Sequence, residues 1–271
     1  MAALPAAEGR ERLLRDVRRR GARGGIIGAH RAMVTGRLTR ARVTSMVVIP
    51  ALLSAGVLAA LGPLATAWQA LLAWLLPRLG MAEPVAMIAV WRRGPFRLTV
   101  PYVSATAPLP GTWHFWVVGG VCAVVLAASL LLPARFTPLR YFLRFATLVQ
   151  LTSVVAFAVA PAAFPYALPQ YTIGSLEAGA ALLVLTPLVY GLTFFPFDIA
   201  LWRKVLLTVL TVGHFAVLLP LQVALHAYVA QHLSLLVLPV LFFLWGLLLE
   251  VFAFVAFYGW GMSWADAGRG R

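Results

Sequence analysis

Repeated runs of about twenty apolar residues constrain the fold of this 271-residue chain more than any other feature. A helix needs about 20 consecutive apolar residues to cross the hydrocarbon core of a bilayer. Hydrophobic residues make up 62% of the chain and charged residues only 11%, whereas a soluble domain is about half apolar and a quarter charged. The sequence therefore predicts an all-α polytopic membrane protein.

Six transmembrane helices are predicted from these runs. The first begins near 43 and reaches about 62, and the other five are 113–133, 141–164, 174–195, 203–225 and 233–258. A further apolar piece, 64–77, leaves two interpretations open. It lies at the outer interface, for which Trp68 and Trp74 are suited, or it continues the first span as one long kinked helix.

Residues 78–112 form the only long loop outside the predicted spans. Within it, Phe96, Leu98, Val100 and Tyr102 alternate with other residues, which is a strand pattern. A turn is expected at 94–95, and Pro101 would confine its strand to an edge. The loop is therefore predicted to be a small, outward-facing β-hairpin.

The basic residues predict how the chain is oriented. The net charge is +14, and 11 of the 22 basic residues lie between Arg10 and Arg42, ahead of the first span. With six spans, 18 basic residues fall on one side of the membrane and 4 on the other. By the positive-inside rule, both termini are then cytoplasmic. A seventh span at 64–77 would instead put the later basic loops outside.

Three regions follow from this topology. Residues 1–42 are predicted to be a basic cytoplasmic or interfacial segment, 43–258 the membrane domain with its outer loop 78–112, and 259–271 a cytoplasmic tail.

The basic N-terminal segment contains an amphipathic pattern at 8–20. Leu13, Leu14 and Val17 share one helical face. The segment is predicted to lie on anionic lipid headgroups, and a disordered basic tail is the alternative. The headgroup contacts would be Arg12, Arg15, Arg18, Arg19 and Arg20. A membrane partner accounts for the charge, so nucleic-acid binding is not predicted.

Two further features bear on the compartment. All basic residues except Lys204 are arginines, which suggests a GC-rich bacterial genome and hence an inner membrane. The single cysteine, Cys122, excludes an intrachain disulfide or a cysteine-based metal site.

A set of polar residues within the spans is a first candidate site. Ionisable groups in a bilayer are costly and usually functional. Counting from the helix ends places four residues at a similar depth: Gln150, Tyr190, His214 and Glu250. The antiparallel fifth and sixth spans would place His214 against Glu250. Such a pair is either a functional group, as a proton relay or a polar substrate site, or a hydrogen bond that fixes helix packing, and the packing interpretation is favoured.

A second candidate set lies near the predicted outer surface and comprises His114, Glu177, His226 and His232. Such side chains can bind zinc or iron, but the chain has no HExxH motif. Interfacial histidines also serve as amphipathic anchors. We therefore predict no metal site and no cofactor.

The outline resembles the membrane half of a polysaccharide-type ABC exporter, with a basic amphipathic helix, six spans and both ends inside. The resemblance implies that residues 134–144, ARFTPLRYFLR, form the cytoplasmic coupling segment. The chain departs from that pattern because its long loop follows span one and no re-entrant outer segment precedes span six. No site residue is carried over.

Three functions remain open. The favoured one is a non-enzymatic membrane subunit of a cell-envelope assembly or export complex, with other membrane subunits as partners. The second is a transporter or ABC-type permease subunit with a polar path through Gln150, His214 and Glu250. The third is a membrane-embedded enzyme that acts on lipid-linked substrates through the outer group of histidines and Glu177.

Overall fold

The fold is taken from a computed structural model, which describes residues 40–93, 96–161, 164, 167–194 and 199–266. These residues are mostly helical, with six helices long and apolar enough to cross a membrane and one two-stranded sheet. The chain is therefore a multi-pass membrane protein. The N-terminal amphipathic segment, the turn at 94–95 and the tail from 267 lie outside the described residues.

Five long helices are followed by a composite sixth span. The helices are α1 (Arg40–Leu75), α2 (Thr112–Leu131), α3 (Thr137–Val159), α4 (Leu168–Thr193) and α5 (Leu201–His232). The sixth span consists of a 3-10 turn (Leu235–Val237), one α-helical turn (α6, Leu238–Leu241), a π-helix (Phe242–Leu248) and α7 (Leu249–Asp266).

The first helix settles the question of residues 64–77. It continues through Pro50 and Pro63 for 36 residues, about 54 Å, which exceeds the roughly 30 Å core. Trp68 is 3% exposed, and its indole N–H donates to the Ala216 carbonyl oxygen at 2.7 Å. Trp68 thus packs inside the protein, whereas Trp74 is 55% exposed.

The predicted hairpin is present. Strands β1 (Val85–Arg93) and β2 (Phe96–Val103) pair antiparallel, with an irregularity between Ala89 and Trp91. Pro101 pairs with Met87, and in a sheet of two strands each strand is an edge. Val100 and Val103 are fully buried against the helices. The end of the bundle that carries this sheet is called the hairpin end below.

Two helices continue further at the hairpin end than the hydropathy predicted, whereas α3 ends at Val159 instead of 164. The α4 helix begins at Leu168 instead of 174, and α5 continues to His232 instead of 225. The reason is tertiary packing: Leu168 and Thr172 are buried, and the Val103 N–H donates to the Thr172 hydroxyl. The sheet covers this end of α4 and supplies partners for its polar groups.

The centre of the bundle is formed by α1, α4 and α5. A Cβ on Gly191 would overlap Pro50 and would lie 2.9 Å from the Met46 carbonyl oxygen, so α1 and α4 approach closely there. A Cβ on Gly179 would lie 2.7 Å from Leu219 of α5. By contrast, α2 packs mainly against α3. The chain thus has a tight core and a peripheral helix pair.

Candidate functional site

A polar chamber lies between α4, α5 and the sixth span. Each of these elements contributes two residues four positions apart, which lie on one face of a helix. The chamber is lined by Tyr171 and Ser175 from α4, Gln222 and His226 from α5, and Gly246 and Glu250 from the sixth span. Three helices therefore direct polar or small residues into one space.

The best-buried member of the chamber is His226, which is 2% exposed. Its Nδ1 lies 2.7 Å from the Tyr171 hydroxyl, which joins α5 to α4. Its Nε2 is buried and has no hydrogen-bond partner in the part of the chain that the structure describes. A buried polar atom without a partner costs about 1–3 kcal/mol. His226 is therefore suited to a bound molecule that the protein itself does not supply.

The third wall of the chamber is irregular. Residues Phe242–Leu248 form a π-helix, a feature often found at functional sites. Its Trp245 carbonyl oxygen accepts a hydrogen bond from the Gln222 amide at 2.6 Å. A Cβ on Gly246 would lie 3.9 Å from Cε1 of His226. The π-helix thus brings a small residue against the imidazole and is tied to α5 by a chamber side chain.

The chamber is small and adjoins a larger crevice. Its volume is about 100 Å³, which is room for a few water molecules at about 30 Å³ each. The crevice, of about 390 Å³, shares Tyr171, Ser175, Ala178 and Phe242 with it and is also lined by Phe164 and Phe243. A polar interior with an apolar approach can receive a small polar group from the membrane side.

The chamber also has the residues for proton transfer. The Tyr171 hydroxyl is hydrogen-bonded to the His226 imidazole, and the half-buried carboxyl of Glu250 lines the same 100 Å³ space. Because no ion pair to Glu250 occurs within the described ranges, water or a bound ligand is left to satisfy it. The arrangement can bind a hydrogen-bonding group, or pass a proton between the imidazole and the carboxyl.

The four intramembrane candidates do not form one site. Gln150 donates to the Leu236 carbonyl oxygen at 3.0 Å, and the Tyr190 hydroxyl lies 3.0 Å from the Thr211 hydroxyl. His214 is exposed, with its ring 5.2 Å from that of Phe257. No hydrogen bond or ion pair joins His214 to Glu250 in the described segments. Glu250 instead lines the chamber together with His226 of the other predicted set.

The four outer candidates are also separated. His226 lies in the chamber, whereas His114 and His232 line a different groove beside α2. Glu177 is exposed on α4 and lines neither cavity. Over the ranges that the structure covers, no three His, Cys, Asp or Glu residues come close enough to hold a metal. The five arginines of the N-terminal segment lie outside the described residues.

The sequence contains a signal that single-residue reasoning missed. Tyr171, Ser175 and Gln222 are not among the candidate site residues that the sequence predicted. Each of the three pairs is nevertheless visible as an i, i+4 spacing within an apolar span. Recurrence of that spacing on three spans marks faces that turn toward a common interior.

Comparison with known proteins assigns no family. No family model matches the chain, and neither a curated protein nor a solved structure matches it with significant similarity.

Proposed function

We propose that this protein is a non-enzymatic multi-pass subunit of an export or envelope-assembly complex in a bacterial inner membrane. Its own contribution is to bind a small polar group in the chamber. The observation that carries the proposal is the convergence of three i, i+4 pairs around His226, whose buried Nε2 has no partner among the described residues. Residues that serve packing alone would have satisfied that atom from the protein.

The orientation of the subunit is part of the proposal. The 18-to-4 division of basic residues favours cytoplasmic termini. The hairpin end, and with it the chamber and the crevice, then faces the outer leaflet. A polar group of an amphiphile in that leaflet would enter between α4 and the sixth span. Anionic lipids at the N-terminal segment and other membrane subunits are the proposed partners.

A permease subunit is compatible with this proposal, but its polar path would differ from the one that the sequence suggested. Gln150 and Glu250 line different cavities, and His214 lines neither of them. A path through the chamber, with Glu250 and His226 as its polar groups, is favoured because both residues line one cavity.

One observation favours an enzyme as the second candidate. The Tyr171 hydroxyl is hydrogen-bonded to the His226 imidazole in a space that also contains a carboxyl group. Such a pair can exchange a proton with a bound substrate. An enzyme would require Tyr171 for turnover, whereas a binding subunit would tolerate Tyr171→Phe with weaker binding.

The proposal is tested with a matched pair of carboxyl substitutions in a strain that lacks the gene. Glu250→Leu removes a chamber residue, and Glu177→Leu makes the same change at an exposed position of α4. We expect Glu250→Leu to fold and to co-purify with its partner subunits but to lose complementation, and Glu177→Leu to complement fully.

Glu250→Gln refines the outcome, because an amide keeps hydrogen bonding but cannot exchange a proton in this role. Retained complementation by Glu250→Gln indicates binding, and its loss indicates proton transfer. Ser175→Leu would fill the chamber with a larger side chain. If both Glu250→Leu and Ser175→Leu complemented fully, the chamber would be rejected as the functional site. A fully complementing protein that purifies alone would reject the subunit role.

A further inference from the structure

A second cavity lies beside the peripheral helix pair and is independent of the chamber. It is a groove of about 500 Å³ between α2, α3 and the start of the sixth span. From His114 to Val125, both of which line the groove, α2 rises about 16 Å at 1.5 Å per residue. That is about half of the hydrocarbon core, the depth of one leaflet. The groove therefore has the length of one lipid chain.

The polar groups of the groove are concentrated at its hairpin end. His114 opens α2 and His232 ends α5. The Gln150 side chain reaches toward this end, because its amide donates to the carbonyl oxygen of Leu236, four residues after His232. Six of the other lining residues are valines, among them Val121, Val125 and Val240. The Thr147 hydroxyl, farther along the groove, is hydrogen-bonded within α3 to the Leu143 carbonyl oxygen. A polar end and an apolar channel match the two parts of an amphiphile.

Gln150 supplies the observation that points to a ligand. It is 7% exposed, and its Oε1 is buried without a hydrogen-bond partner in the described part of the chain. The Leu236 carbonyl oxygen already accepts a hydrogen bond from Ser153 at 2.8 Å as well as from Gln150. The Leu236 carbonyl oxygen would therefore still have a hydrogen bond without Gln150. The unpartnered Oε1 of Gln150 can accept a hydrogen bond from an O–H or N–H group of a ligand.

Backbone contacts set the proton positions of the two histidines in their neutral forms. The Gly111 N–H donates to Nδ1 of His114 at 3.1 Å, so the His114 proton lies on Nε2. Nδ1 of His232 lies 2.9 Å from the Tyr228 carbonyl oxygen, so it carries the proton and its Nε2 is an acceptor. The polar end thus offers one imidazole donor, one imidazole acceptor and the Gln150 oxygen.

We propose that this groove binds one chain of a neutral amphiphile whose headgroup carries hydroxyl groups. A hydroxyl both donates and accepts, as the histidines and Gln150 require. The apolar channel holds the alkyl chain. This proposal is separate from the role of the chamber, because it rests on a different cavity with no shared residue.

The test uses a monoacylglycerol with a diazirine in its alkyl chain, added to the full-length protein in nanodiscs. The methyl ester of the same diazirine fatty acid, which lacks the hydroxyl groups, is the control ligand. We expect the monoacylglycerol to crosslink to α2 or α3 and the ester to label them at least about fivefold less, the effect of losing one neutral hydrogen bond.

Matched variants make the result specific to the groove. Gln150→Leu should weaken monoacylglycerol labelling about fivefold, whereas Ser153→Ala removes the other bond to Leu236 and should leave labelling unchanged. Val118→Trp should block the groove, and Val124→Trp, at an outward position of α2 that is 68% exposed, should not.

Equal labelling by the two ligands, or equal loss in Gln150→Leu and Ser153→Ala, would overturn the proposal. Undiminished labelling of a folded Val118→Trp protein would do the same. If Val118→Trp fails to fold, the comparison of Gln150→Leu with Ser153→Ala decides alone.

Discussion

The hydroxyl of Tyr171 lies 2.7 Å from Nδ1 of His226 and connects the start of α4 to the last turns of α5. Tyr171→Phe removes the hydroxyl and leaves both imidazole nitrogens without a partner among the described residues. We expect a loss of about 1–3 kcal/mol in unfolding free energy, the cost of an unsatisfied buried polar group. Thermal unfolding in detergent measures it. Tyr141→Phe, at a residue 65% exposed, is the control and should be nearly neutral.

The hydrogen bond from Gln222 to the Trp245 carbonyl oxygen, 2.6 Å long, is predicted to stabilise the π-helix. Gln222→Leu should loosen this segment, so amide hydrogen exchange should become faster within 242–249 but not within α3. Glu177→Leu, at an exposed position of α4 that lines neither the chamber nor the crevice, should leave the exchange pattern as it is. Unchanged exchange in Gln222→Leu would mean that the π-helix is maintained without this contact.

The close approach of α1 to α4 at Gly191 predicts a position-specific cost of adding one methyl group. Gly191→Ala would place a Cβ against Pro50 and the Met46 carbonyl oxygen, and overpacking of this kind costs about 1–3 kcal/mol. Gly213→Ala in α5 has no atom within 4 Å of the added Cβ. It should be neutral or stabilising by up to about 1 kcal/mol. Equal melting temperatures for the two variants would argue against this helix crossing.

The proposed topology places the hairpin end outside and the C-terminus in the cytoplasm. Single cysteines at Leu109, which is 60% exposed, and at the exposed Ser263 test it in a Cys122→Ala background. An impermeant thiol reagent should label position 109 on intact cells and position 263 only after permeabilisation. The reverse pattern would show that the charge rule fails for this chain.

The basic N-terminal segment should bind anionic membranes as a helix. A peptide of residues 8–24 carries seven arginines beside Leu13, Leu14 and Val17, and each basic residue near such a surface contributes about 1 kcal/mol. Circular dichroism should report helix formation on anionic vesicles, weakened by salt, and none on neutral vesicles. A random-coil spectrum on both would favour the disordered tail.

The secondary structure was largely accessible from the sequence because bilayer thickness and strand alternation act locally. Six apolar runs predicted six spans, and the alternation from Phe96 to Tyr102 predicted β2. The bounds at the hairpin end were less accurate, since the sheet covers Leu168 and Thr172 of α4 and so extends the helix. Local hydropathy contains no information about such a cover.

By itself, the sequence determined that the chain is a helical multi-pass membrane protein with a hairpin after the first span, because each follows from periodicity and length along the chain. Depth along a span could also be counted, and it put His214 and Glu250 in one layer. Only the tertiary structure decided the rotation of each helix about its axis. That rotation left His214 exposed and brought His226 into the chamber with Glu250. Rotation is set by packing contacts such as Pro50 on Gly191, which join residues far apart in the chain.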